Sequence, residues 1–342
     1  MQFDQLNRRE FITLLGGAAA AWPLSVRAQQ PRKIYRVGLL VSGAPMGAAD
    51  KRRQTFLSAL AAHGFVDGQN LVFVQRSADA RPERLDGLAA ELKAANVDVI
   101  VTFGYPAALA AKKSTRDIPI VISAAGDPVA TGLVDGVARP GGNITGVTEL
   151  STELSAKRLE ILRDAVPTLT RVAMLWNADD LGMTLRYRAA EDAASLLGIK
   201  VQTLGVREPD DFEHAFAEMT RERPDAILMV SDALTMLNRR RVVEFANTNR
   251  LPTIFETDAP VREGGLMSYG PKESAIGERT ADFVARVLRG ARPADMPLEL
   301  PTHFEFVVNL KTAQALGISL PPTLIARADE VIEEAPPPCY SA

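Results

Sequence analysis

The sequence has little of what most catalytic and metal sites are built from. Its one cysteine, Cys339, excludes an intrachain disulfide and a cysteine metal cluster. The histidines, His63, His214 and His303, lie far apart, and none stands at metal-ligand spacing to another. No Gly-x-x-x-x-Gly-Lys phosphate loop is present. The stretch Gly141-Gly142-Asn143-Ile144-Thr145-Gly146 falls short of a dinucleotide loop, because Asn143 occupies a required glycine and no buried strand immediately precedes it. No histidine belongs to an evident Ser/His/Asp set, which leaves hydrolysis a poor reading. A formal charge of -3 carries no basic footprint, so nucleic acid is not an expected partner. No metal and no cofactor are expected.

What is present is an ordinary soluble composition, 46% apolar and 24% charged, over 342 residues, a length that suits two domains. The organising stretch runs from Asn96 to Pro128. Val97-Asp98-Val99-Ile100-Val101-Thr102 reads as a strand buried on both faces of a parallel sheet. Phe103-Gly104-Tyr105 breaks it, and Pro106 suits a first helical position because its missing N–H had no helical partner. Ile118-Pro119-Ile120-Val121-Ile122 is the next strand. Asp127 then reads as an N-cap, with Pro128 opening another helix.

This unit appears twice. Pro224-Asp225-Ala226-Ile227-Leu228-Met229-Val230 repeats the first strand, with Asp225 opposite Asp98. Ser231-Asp232-Ala233 replaces the Phe103-Gly104-Tyr105 loop, and Leu251-Pro252-Thr253-Ile254-Phe255 repeats the second strand. The expected fold class is therefore α/β, with two doubly wound parallel-sheet lobes. Ligands of such sheets sit beyond the carboxyl ends of the strands, so two facing edges make an interlobe cleft.

The amino terminus reads as an address. Asn7-Arg8-Arg9-Glu10-Phe11-Ile12 is a twin-arginine pattern, followed by an apolar run to Val26 and a small residue, Ala28, at a cleavage position. Residues 1–28 are expected to be a signal peptide, the run being short of the roughly 20 apolar residues of a comfortable span. The alternative is an amphipathic helix or retained anchor. From Glu333 the Pro-rich tail has no packing pattern and is expected to be disordered.

A set of short motifs then gives the chain a family likeness. In order these are Gly64-Phe65-Val66-Asp67-Gly68-Gln69-Asn70, Ile118-Pro119-Ile120-Val121 leading to Gly126-Asp127-Pro128-Val129, and Pro140-Gly141-Gly142-Asn143-Ile144-Thr145-Gly146. Arg262-Glu263-Gly264-Gly265, Ser268-Tyr269-Gly270 and Asn309-Leu310-Lys311-Thr312-Ala313 complete the set. Each is weak alone, but in this order the chain resembles the substrate-binding proteins of ABC importers, in the tryptophan-binding-protein-like group. The resemblance implies the type I periplasmic binding fold with a hinge. It implies a monomer in the periplasm that captures a small molecule and hands it to an ABC permease of the inner membrane. Its best-described relatives take aromatic amino acids, so an amino acid or related compound is the implied ligand. A sensory ligand-binding module for a signalling partner is the alternative reading, and an exported hydrolase a more distant one.

On this pattern lobe 1 spans 34–148 plus about 258–302, and lobe 2 spans 149–257 plus about 303–330. Crossings are expected near Gly146–Ser151, Glu256–Pro260 and Leu300–Phe304. Candidate ligand contacts lie in the loops after strands. Ser42, Gly43, and the backbone N–H groups near Gly104 and Pro106 suit a carboxylate. Asp127, beside Gly126, either takes an ammonium or caps its helix, and Asp232 carries the same choice. Glu256 is an ammonium acceptor or a surface carboxylate. Asn177 and Asp179 face the cleft or form an Asx-turn. Tyr105 and Tyr269 stack on a ligand or pack within the fold.

Overall fold

A computed structural model of the chain describes residues 33–149 and 151–333. The twin-arginine stretch, the cleavage position, Cys339 and the tail beyond Glu333 lie outside the described residues. By its internal contacts the chain divides between Ile34 and Tyr35, and every element below belongs to the second unit.

The first sheet takes the strands β1 (Tyr35–Val41), β2 (Leu71–Ser77), β3 (Val99–Phe103), β4 (Ile120–Ser123) and β5 (Ile144–Val147). They are all parallel, in the order β2-β1-β3-β4-β5. Helices α1 (Lys51–Ala62), α2 (Leu85–Ala94) and α3 (Tyr105–Ser114) connect the first four strands. The second sheet opens after α4 (Ser151–Ala165) with β6 (Arg171–Asn177), α5 (Leu181–Leu196), β7 (Lys200–Val206), α6 (Asp211–Glu222) and β8 (Ala226–Met229). It continues through α7 (Ala233–Leu237), α8 (Arg239–Thr248), β9 (Thr253–Phe255), α9 (Ala259–Arg262) and β10 (Met267–Pro271). After α10 (Glu273–Leu288) come β11 (Phe304–Asn309), α11 (Leu310–Leu316), α12 (Pro322–Ile325) and β12 (Glu330–Ile332). The strand order is β12-β11-β10-β9-β8-β6-β7, parallel except where β10 meets β11.

The internal repeat is therefore a repeat of topology, since β7-β6-β8-β9-β10 copies β2-β1-β3-β4-β5. The aspartates that mark it do the same work in each copy. Asp98, just before β3, accepts the Arg36 N–H at 2.7 Å, and its own N–H donates to Arg36 at 2.8 Å. Asp225, just before β8, accepts the N–H groups of Thr170 and Arg171 at 2.7 and 2.9 Å, and its N–H donates to Arg171 at 2.9 Å. Each carboxylate satisfies strand-start N–H groups that the ladder leaves open.

One boundary differs from expectation. The repeat runs a strand further than its Pro252-Thr253-Ile254-Phe255 match, because Met267–Pro271 is the counterpart of Ile144–Val147. β10 pairs with β9, so the chain leaves the second sheet at Pro271–Glu273 and not at Glu256–Pro260. From there α10 returns to the first sheet. Its Phe283, Val284 and Leu288 pack with Val37, Val99 and Val121, and the Thr280 hydroxyl meets that of Ser123 at 3.1 Å. α2 and α3 cover the other face, around Leu40, Ile100 and Ile122.

A second difference lies at Asp127-Pro128. No helix follows. Asp127 Oδ1 accepts from the N–H groups of Val129 and Ala130 at 3.0 and 2.9 Å, and the N–H groups of Leu133 and Val134 both close onto the Pro128 carbonyl. Gly132, at φ 69°, turns the chain away before a second helical turn can form.

Candidate functional site

A cavity of about 430 Å³ lies between the sheets, within the usual range for a small-molecule site. Its walls come from the carboxyl ends of strands in both. Ser42 and Gly43 follow β1, Gly104 and Tyr105 follow β3, and Ala124 follows β4. Asn177 ends β6, Ser231 and Asp232 follow β8, and Glu256 follows β9. The positions that the sequence supplied as Ser42, Gly43, Gly104, Tyr105, Asn177, Asp232 and Glu256 are thus brought together.

Gly126, Asp127, Asp179 and Tyr269 do not line the cavity. Asp127 is engaged in its own turn, as above. Asp179 is exposed, takes the Asn177 Oδ1 bond of an Asx-turn on its N–H at 3.1 Å, and pairs with Arg207 at 3.2 Å. Tyr269 packs against the core with Phe304 and Phe306. Gly126 sits behind the wall. A Cβ there would lie 3.5 Å from Arg186 Nη2, so the bare backbone leaves the guanidinium its place.

Glu256 lines the cavity but is already committed. Its Oε1 accepts from Arg158 Nη1 at 2.9 Å, and its Oε2 accepts from Arg186 Nη1 at 2.7 Å and from the Ser231 N–H at 3.2 Å. The side chains of all these ionic partners are buried. A carboxylate with a guanidinium on each oxygen is not the seat for a ligand ammonium, which corrects the sequence reading. Arg158 also donates from Nε to the Tyr269 carbonyl at 2.7 Å, and Arg186 donates from Nη2 to Glu149, just past β5. Burial works against the charge of Arg186, but the carboxylates of Glu256, Glu149 and Asp180 outweigh it and hold the guanidinium well above its ordinary value.

Three lining carboxylates have no ion-pair partner among the described residues: Asp180, Asp232 and Glu273. Asp180 caps α5, its Oδ1 accepting from the N–H groups of Gly182 and Met183 at 2.8 and 3.3 Å. Asp232 caps α7 in a capping box with Thr235. Asn177 bonds to both residues but to only one carboxylate: its Nδ2 donates to Asp232 Oδ2 at 2.6 Å, and its main-chain carbonyl accepts the Asp180 backbone N–H at 3.3 Å. Burial, then the neighbouring Asp232 charge, pushes the Asp180 carboxyl up to about 6. Burial also raises Asp232, against the bonds from Thr235 and Asn177 that favour its charge. Neither has a lysine or arginine at ion-pair distance among the described residues.

The amino terminus of α3 also lines the cavity, and its dipole favours negative charge. Ser42 Oγ stands beside it, donating to the Phe103 carbonyl at 3.3 Å. Tyr105 joins the two sides, with its Cβ 3.6 Å from the Cβ position of Gly182. Its phenol is pushed up by burial and by the Asp180 charge. Leu85, Phe103, Leu154, Met183 and Leu234 supply apolar wall. The cavity therefore combines buried acids after β6 and β8, a helix amino terminus at α3 and apolar wall.

Sequence reasoning missed Asp180, Arg158, Arg186 and Glu149. The signal for Arg186 was there. Met183, Arg186, Tyr187, Ala190, Ala193 and Ala194 form one buried stripe of α5, with an arginine in the middle of it.

The chain is 26% identical, over 270 residues, to a tyrosine-binding protein of Clostridioides difficile (strain R20291), an alignment that takes in 79% of this chain and 77% of that protein. It superposes on the ABC domain in complex with L-Trp from Streptococcus pneumoniae with a TM-score of 0.81 and 25% identity, covering 87% of this chain and 99% of that one. With the ligand-free, open structure of a substrate-binding protein with adhesive properties from Clostridium difficile, identity and coverage are again 25%, 87% and 99%, but the TM-score is 0.63. The type I periplasmic binding fold is common to these structures and to this chain. Residues 38–332 match the family described as ABC transporter substrate binding protein, and the chain belongs to that family of solute-binding, non-enzymatic proteins.

Proposed function

We propose that this protein captures an amino acid with an apolar or aromatic side chain in the cleft and delivers it to an inner-membrane ABC permease. The observation that carries the ligand class is that the buried acids Asp180 and Asp232, without an ion-pair partner among the described residues, line the same cavity as the amino terminus of α3. An α-ammonium fits the acids, an α-carboxylate fits the helix end and Ser42, and the side chain fits the wall of Leu85, Phe103 and Leu234. The L-Trp in the streptococcal relative and the name of the clostridial one support the same class. The better superposition on the L-Trp complex supports lobes that close on ligand by a hinge at the crossings near residues 148–151, 271–273 and 299–304.

Export to the periplasm rests on the Arg8-Arg9 pattern and the run after it. Among the described residues no helix is long and apolar enough to cross a membrane. Mass spectrometry of the small molecules released when the purified protein is denatured tests the ligand class. An aromatic or apolar amino acid is the expected species, and a sugar or dicarboxylate would contradict it. Loss of uptake of that compound on deletion of the gene separates delivery from sensing.

A further inference from the structure

Glu149 stands just past β5, where the chain first leaves the first sheet. Its segment is tied back to that sheet. The Thr148 N–H donates to the Glu299 carbonyl at 2.9 Å, and the Glu299 N–H donates to that of Gly146 at 3.0 Å. The Thr148 hydroxyl donates to the carbonyl of Gly126, just past β4, and the Glu149 N–H reaches the same oxygen at 3.5 Å. The Glu149 side chain goes the other way. Its Oε2 accepts from Nη2 of Arg186, which belongs to α5 and the second sheet. Arg186 is fixed there by Glu256 at 2.7 Å, and Glu256 by Arg158 of α4 at 2.9 Å. Arg158 donates in turn to the Tyr269 carbonyl at 2.7 Å, on the strand that runs into the second crossing. From that crossing the Lys272 N–H donates to the His303 carbonyl at 3.0 Å, in the third. A row of bonds thus links the places where the chain passes between the sheets, and Glu149, Arg158, Arg186 and Glu256 all line the cavity.

Of these four, Glu149 is held to the first sheet by its main chain and to the second by its side chain. A turn of the lobes moves Arg186 with α5 and Glu149 with the end of β5. The pair between them is sheltered, with 4% and 17% of the side chains exposed, so solvent screens it little. It also fixes α5 at the end that meets the cavity. Met183 lies one turn before Arg186 on the same face and lines the cavity. Beside it, the Cβ position of Gly182 lies 3.6 Å from Tyr105 Cβ, at the start of α3.

We infer that Glu149 is a positioning residue for capture. Through Arg186 it holds the first turn of α5 against α3, and so sets the angle between the lobes at which both sides of the cavity reach one ligand. The inference rests on the proposed closing of the lobes. Its consequence is a uniform effect. A residue that acts on the fraction of molecules in the binding-competent arrangement changes every ligand's affinity by the same factor, because the contacts made once bound are unchanged.

Glu149→Ala in the mature chain tests it. Small-angle scattering of the ligand-free variant should show a larger radius of gyration than wild type. Calorimetry with L-tryptophan, L-tyrosine and L-leucine should show binding about tenfold weaker for each one that wild type binds, with the ratios between them kept. Thr148→Val frees the same segment from Gly126 without changing its bulk. It should give the same pattern, and it carries the test if Glu149→Ala does not fold. A wild-type radius, or wild-type affinities, overturns the inference. So does a loss that differs between ligands by more than about threefold, because a residue acting through lobe angle has no means to tell them apart. If wild type binds none of the three, the amino-acid reading fails, and the ligand-free radii still decide the role of Glu149.

Discussion

Arg186 Nη1 and Glu256 Oε2 meet at 2.7 Å, with 4% and 6% of their side chains exposed. The same carboxylate meets Arg158 at 2.9 Å, so one buried anion holds two helices, α4 and α5, to the end of β9. Through Nη2, Arg186 reaches on to Glu149 at the first crossing between the sheets. These charges are structural supports of the cavity wall.

Glu256→Gln should therefore act on folding as well as binding. It leaves two buried guanidiniums without their shared anion, and breaking such a pair typically costs about 3–5 kcal/mol. Urea unfolding of wild type and variant reads this. A loss under about 1 kcal/mol would show that Glu256 is not the anchor.

Gly270 passes close to the main chain of Glu256. A Cβ added there would lie 2.0 Å from the Glu256 carbonyl oxygen, a main-chain atom that cannot swing aside. Gly270→Ala should cost about 3 kcal/mol or more, the upper end of overpacking effects. Thermal unfolding checks it, and a variant as stable as wild type would contradict the close passage of β10 behind β9.

Asp225 gives the acid side of the stability profile. Burial works against its charge, but the N–H bonds of Thr170 and Arg171 and the Thr170 hydroxyl outweigh it, so its carboxyl is held below the ordinary range. A carboxyl with a lowered folded value stabilises above its unfolded value, about 3.9, and loses that contribution as pH falls through the folded one. Asp225→Asn should cost about 1–2 kcal/mol at pH 7, modest because the site is partly exposed. The gap between wild type and variant should close below about pH 3.5. A gap that is the same at pH 7 and pH 3 would contradict it.

The repeat made the fold legible. Asp98 and Asp225, and the prolines of Ile118-Pro119 and Leu251-Pro252, stand at matching places in two β-α-β units, and the topology copies itself around them. The second crossing was misplaced because the Gly-rich stretch 264–270 reads as a short strand and turn, with nothing local to show that it pairs with β9 in the second sheet. In the site, residues directly after strands were found, since that position follows from the sheet. Asp127 was misread because Asp-Pro opens helices and this kind of turn alike. Glu256 was misread because nothing local reveals that Arg158 and Arg186, on two different helices, converge on it. Asp180 was passed over for Asp179, one residue away, and only the start of α5 decides which of them is buried.

Gly43 lies against α7, where its Cβ position would be 3.6 Å from Ala233 Cβ. A methyl group fits and a longer side chain does not. Gly43→Leu should hold the lobes apart and weaken ligand binding by tenfold or more, about 1.4 kcal/mol, with little change in stability. Small-angle scattering with saturating ligand should then show a larger radius of gyration than wild type. Equal radii would contradict the contact.

The account turns on a cavity that reads both ends of an amino acid. Titration calorimetry of the mature chain with L-tryptophan, L-tyrosine, their N-acetyl derivatives and a panel of sugars and dicarboxylates tests this most directly. The prediction is binding of at least one free aromatic or apolar amino acid, with its N-acetyl derivative at least a hundredfold weaker because the acids at Asp180 and Asp232 lose their ammonium. Tight binding of a neutral sugar, or of the N-acetyl derivative as well as the free amino acid, would contradict it.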